Sequence, residues 1–129
     1  MRTAVLLFAL VPAVQAQACP AETARPVASL RELPQDVLAL LGRLDKPHPL
    51  IADIGEKFNP SDVIYPDSPP LQRLVSGVIA KDCVELKVEF GGIAYFTEQV
   101  EFQNTWRGWV KTKGSYDTVK PAPKLVPGT

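Results

Sequence analysis

Residues 81–102, KDCVELKVEFGGIAYFTEQVEF, constrain the fold more than any other part of the chain. Val84, Leu86 and Val88 alternate with Cys83, Glu85, Lys87 and Glu89, the pattern of a strand with one buried face. A second alternating run follows Gly91-Gly92, and LQRLVSGVIA precedes the first. Together they predict a meander of three strands over residues 71–80, 83–89 and 93–103. A two-residue turn at Lys81-Asp82 sets Ile79 opposite Val84, Gly77 opposite Leu86 and Val75 opposite Val88, an apolar face.

The Gly91-Gly92 turn decides which side chains are left for solvent. A two-residue loop pairs Phe90 with Ile93 and Val88 with Tyr95, and its inner face grows polar towards Gln99. A three-residue loop over 90–92, with Gly92 in the left-handed position, pairs Val88 with Ala94 and Leu86 with Phe96. One residue of slip flips a strand. We take the three-residue loop, because Val100 and Phe102 then continue the apolar face and Tyr95 turns outward.

Upstream, ELPQDVLALLGRL places Val37, Leu38, Leu40, Leu41 and Leu44 at helical spacing, with Pro34 at the first helical position and Asp36 in the first turn. Gly42, Pro47 and Pro49 end this run. Leu50 to Ile54 reads as a short strand, and Asn59-Pro60-Ser61-Asp62 as a turn whose side chains bond local backbone. The segment NTWRGWVKTKG offers a fourth strand, with Trp106 or Trp109 covering the end of the core. The expected fold is therefore α+β: one N-terminal amphipathic helix packed on an antiparallel sheet of three to five strands. The domain runs over residues 19–113 and a Pro- and Lys-containing flexible tail over 114–129.

The first eighteen residues read as an export signal. Arg2 is followed by the apolar run AVLLFALVPAV and then by small residues at signal-peptidase spacing, so cleavage falls after Ala16 or Ala18. No further apolar run is long enough for a transmembrane helix. The implied destination is periplasmic or secreted. There the cysteine pair Cys19 and Cys83 is expected to form a disulfide. Closing a loop of that length contributes about 4 kcal/mol in the chain-entropy model. Acylation of Cys19 is the alternative, but AQAC has Ala16 where a lipoprotein signal usually carries Leu.

The segments IADIGEKFNPSDV and LQRLVSG, within residues 51–77, resemble stretches of small exported bacterial proteins of unassigned function, a resemblance that implies no activity.

Charge and motifs narrow the function classes. The processed chain carries thirteen basic and fourteen acidic residues, a balance that gives no support to nucleic-acid binding. The basic excess sits in residues 106–129. The single histidine, His48, lies between two prolines, and no Gly-x-Ser-x-Gly elbow, metal-ligand spacing or phosphate-cradling glycine loop occurs. We assign no catalytic, metal-binding or cofactor-binding residue and expect no cofactor. Glu85, Glu89, Glu98 and Glu101 are the carboxylates a glycan hydrolase would need, but an open strand face does not raise a carboxylate pKa as the acid requires. What remains is a binding surface: Glu85, Lys87, Glu89, Tyr95, Thr97, Gln99 and Glu101 form a mixed polar and aromatic face.

The expected function is that of an exported, non-enzymatic binding protein with a protein partner in the cell envelope, an inhibitor or immunity protein against a toxin or cell-wall hydrolase. Its rivals are an envelope structural or accessory protein, lipid-anchored through Cys19, and a carboxylate-dependent glycan hydrolase. The sequence leaves oligomeric state open. The mature protein is expected to show no free thiol: alkylation leaves its intact mass unchanged until reduction, after which both cysteines react. A lipid-modified Cys19 would instead leave Cys83 reactive from the start.

Overall fold

The computed structural model describes residues 19–114 together with Ala4 and Val5. Apart from Ala4 and Val5, the expected export signal, its cleavage sites and all but the first residue of the expected flexible tail lie outside the described residues. Among the described residues the architecture is a six-stranded, mostly antiparallel sheet: β1 (Arg25–Pro26), β2 (Ile51–Ala52), β3 (Gln72–Ala80), β4 (Cys83–Phe90), β5 (Phe96–Thr105) and β6 (Gly108–Lys113). The main path runs β1-β3-β4-β5-β6, and β2 pairs in parallel with the start of β3. A short 3-10 turn (Leu30–Glu32) and a helix, α1 (Gln35–Leu40), precede the meander.

The expected α+β fold is corrected on this point. The helix is six residues long, too short to supply an amphipathic helical layer. Pro34 stands just before it rather than inside it, although Asp36 does lie in the first turn. Gly42 takes φ +73°, a backbone conformation that ends the helix, and Leu50 packs where a Gly42 side chain would sit. Leu40 and Leu44, expected on the buried stripe, are exposed, while Val37, Leu38 and Leu41 reach the core. Helical spacing over these residues did not require a longer helix: Val37 and Leu38 are buried from the six-residue helix and Leu41 from its C-cap.

In the meander, β3 and β4 pair Ile79 with Val84 and Gly77 with Leu86, as the Lys81-Asp82 turn requires. A bulge between Leu74 and Ser76 then shifts the register. Leu74 therefore stands opposite Val88 and is buried, whereas Val75, expected there, is exposed.

The β4–β5 turn matches neither of the two loops considered from sequence. Phe90 pairs with Phe96, Val88 with Glu98, Leu86 with Val100 and Val84 with Phe102, so residues 91–95 form a five-residue loop. The two phenylalanine rings stack at its base, with centroids 4.8 Å apart and planes 6° from parallel. Strand parity is that of the three-residue loop, with Phe96, Val100 and Phe102 on the core side. The strand is displaced along its partner, which replaces the expected Val88–Ala94 and Leu86–Phe96 pairs with Val88–Glu98 and Leu86–Val100. Gly92 does take a positive φ, +125°. Gly91 is required for a different reason: a side chain there would overlap the backbone of Asn59 and Pro60.

One face of the sheet packs with residues from the N-terminal segment into a core centred on Phe102, Leu30, Ile51, Leu74 and Leu86. Trp109 on β6 packs against it, while Trp106 is exposed. Cys19 and Cys83 form a disulfide that ties the N-terminal segment to the non-core face, with a sequence separation of 64 residues.

The N-terminal turn is held by Asp53, directly after β2. Its buried carboxylate accepts hydrogen bonds from Ser29 Oγ (2.6 Å), Leu30 N (2.8 Å) and Ile54 N (2.8 Å). Burial pushes the carboxyl pKa up, but the Ser29, Leu30 and Ile54 hydrogen bonds and the charge of Arg43 outweigh it and hold it below the usual value. A depressed pKa stabilises the fold above the ordinary aspartate value of about 3.9 and loses that contribution as pH falls through the lower folded value. Asp53→Asn is accordingly expected to cost about 2 kcal/mol at neutral pH. In denaturant titrations the gap between variant and parent should close as pH falls below that range.

Candidate functional site

The non-core face of β4 and β5 carries six of the seven residues singled out from sequence. They meet in three cross-strand pairs: Glu85 with Glu101, Lys87 with Gln99, and Glu89 with Thr97. Tyr95 does not belong to β5; it sits in the 91–95 loop, exposed, and its hydroxyl donates to Glu89 Oε1 at 3.2 Å. The seven residues thus lie on one face and its adjoining end.

Much of this face is satisfied internally. Glu85 and Glu101 oppose each other, a like-charge pair that would be unfavourable alone. The Gln99 amide donates to both carboxylates, at 3.0 Å to Glu101, and Lys113 lies 3.9 Å from Glu101. At the other end Arg73 bonds Glu89 at 3.0 Å, donates to the Glu56 carbonyl at 2.9 Å, and stacks over Phe58 at 4.1 Å. With these partners Glu89 and Glu101 are buried. Glu98 departs from the expected carboxylate cluster: its partner Val88 belongs to the core face, so Glu98 and Glu101 project to opposite sides of the sheet.

A run of three exposed apolar residues, which the sequence patterns did not single out, lies at the same end of the sheet. Residues 59–70 form a compact loop whose neck is closed by the Asn59 N–H donating to the Pro70 carbonyl at 2.7 Å. Gly91 N donates to Leu71 O at 2.7 Å, fastening this neck to the end of β4. Inside the loop, Asn59 Oδ1 accepts from Ser61 N (3.0 Å) and Oγ (2.8 Å), while Asn59 Nδ2 donates to Val63 O at 2.8 Å. Ser68 Oγ accepts from Tyr65 N at 2.7 Å. These bonds realise the side-chain-to-backbone turn expected at Asn59-Pro60-Ser61-Asp62. They hold Val63, Ile64 and Tyr65 outward at fractional exposures of 64%, 70% and 55%.

Ile93 on the neighbouring loop is 96% exposed. Between Ile64, Tyr65 and the segment Pro47-His48-Pro49-Leu50 runs a groove of about 760 Å³. His48 is exposed on its wall, a loop position as expected. An apolar triplet, Val63-Ile64-Tyr65, inside an otherwise polar and proline-rich loop was the signal available in the sequence.

Among the described residues, no group of three or more His, Cys, Asp or Glu side chains is placed to hold a metal ion, and no helix is long and apolar enough to cross a membrane. Comparison of the chain with known protein families, characterised proteins and solved structures finds no match.

Desolvation raises the Tyr95 phenol above its ordinary pKa, and the Glu89 hydrogen bond and charge push it the same way. In a spectrophotometric titration Tyr95 should therefore ionise above the usual tyrosine range. Glu89→Gln, which removes the charge, should move the transition back down; an unchanged transition would show that the pair does not form in solution.

Proposed function

We propose that this is an exported, non-enzymatic binding protein acting on a protein partner in the cell envelope, as an inhibitor or immunity protein against a toxin or wall hydrolase. The disulfide is compatible with an oxidising compartment. The observation that carries the reading is the concentration of exposed apolar and aromatic side chains at one end of the sheet. Val63, Ile64, Tyr65, Ile93 and Tyr95 stand in solvent on segments joined through the Gly91 contact with Asn59 and Pro60. Ordered apolar surface of this kind is costly to leave in water and typical of interaction sites. Aromatic anchors held in place before binding lose little conformational freedom on docking.

The polar face of β4 and β5 adjoins this end and would act as the interface rim. Its charges are neutralised mainly within the sheet, a pattern suited to orienting a partner rather than supplying most of the affinity.

The reading is tested by co-purification of the tagged, oxidised protein from the envelope fraction of its native host. A stoichiometric partner should be retained by the parent protein and weakened at least tenfold by Ile93→Asp, with the thermal unfolding midpoint unchanged because Ile93 stands in solvent. Absence of a retained partner under conditions that preserve known envelope complexes would retire it.

A further inference from the structure

The chemistry of the 59–70 loop narrows the partner. The apolar tip at 63–66 lies between Asp62 and Asp67, and the loop contains no basic residue. Neither aspartate has a hydrogen-bond or ion-pair partner among the described residues, in contrast to Asp53, Glu56 and Glu89, which are engaged. The groove beside the tip is lined by no acidic, lysine or arginine side chain. The surface is therefore an apolar strip with unneutralised negative charge at each end of its protruding loop.

Charge selects among three occupants. A second copy docking by two-fold symmetry would bring the same acidic patch against itself, which is unfavourable. An anionic bilayer would meet Asp62 and Asp67 with like charge. A protein surface with apolar side chains flanked by lysine or arginine would instead bury the tip and pair both aspartates.

We propose that this loop, with the groove along Pro47, His48 and Pro49, is the docking element for such a basic-rimmed apolar segment of a partner protein. The inference rests on the binding-protein reading and specifies where and by what chemistry it operates. The bonds from Asn59, Ser61 and Ser68 set the loop's shape before the partner arrives, so docking requires little ordering of the tip.

The test is in-cell photo-crosslinking with p-benzoylphenylalanine at Ile64 and, separately, at Lys87 on the sheet face. The expected result is an Ile64 adduct whose crosslinked peptide carries lysine or arginine beside apolar residues. Its yield should fall about tenfold in the Asp62→Lys/Asp67→Lys variant and decline with added salt. Because both aspartates are exposed and contact no partner side chain, the charge-reversed protein should keep its disulfide and its unfolding midpoint.

An adduct with an acidic or uncharged segment, with lipid or with another copy of the chain would overturn the inference, as would a yield indifferent to charge reversal. An adduct at Lys87 with none at Ile64 would remove this docking element while leaving the binding function in place. No adduct at either position would remove both.

Discussion

The pairing of Phe90 with Phe96 across the β4–β5 loop is the contact on which most of the molecule depends. It sets the register in which Val84 meets Phe102 and Leu86 meets Val100, and these pairs bring side chains of both strands to the core. Moving that register by one residue would send Phe102 and Val100 to solvent and bring Gln99 and Glu101 inside. The same pairing leaves residues 91–95 as a loop, places Gly91 against Asn59 and Pro60, and so anchors the neck of the exposed 59–70 loop. Core, polar face and apolar end all follow from one choice of register.

A line of polar contacts connects the N-terminal segment with that end. Asp53 caps the turn at Ser29 and Leu30, and its own N–H donates to Glu56 at 2.6 Å. Glu56 pairs with Arg43 at 2.9 Å, and its carbonyl receives Arg73, which holds Glu89, which in turn accepts from Tyr95. Each carboxylate in this line has a donor or cation, so the buried charges are compensated where they stand. Tyr95 and the surrounding loop are thus braced by segments far apart in sequence.

Several elements are legible in the chain itself because their determinants are local. The alternation in 83–89, the Lys81-Asp82 turn, the fourth strand containing Trp109 and the turn chemistry at Asn59-Pro60-Ser61-Asp62 depend on near neighbours. The grouping of Glu85, Lys87, Glu89, Thr97, Gln99 and Glu101 on one face required only the correct parity. The helix is shorter than its apolar spacing suggests, because the spacing of Val37, Leu38 and Leu41 reports burial and not length; the positive φ at Gly42 and the packing of Leu50 stop it after six residues. The bulge at Leu74–Ser76 was likewise invisible, since Leu74 and Val75 are both apolar and only packing chose the first.

The sequence by itself determined that the chain would form an antiparallel meander with one apolar and one polar face, because period-2 alternation leaves few other ways to bury Val84, Leu86 and Val88. It also supplied the cysteine pair that closes the N-terminal segment onto the sheet. Tertiary structure alone decided how far β5 slides along β4, since loops of three and five residues preserve the same parity and differ only in which long-range pairs they bury. That slide brought Gly91 against Asn59 and gathered Val63, Ile64, Tyr65, Ile93 and Tyr95 at one end. Their proximity depends on contacts between segments that local sequence patterns treat as separate.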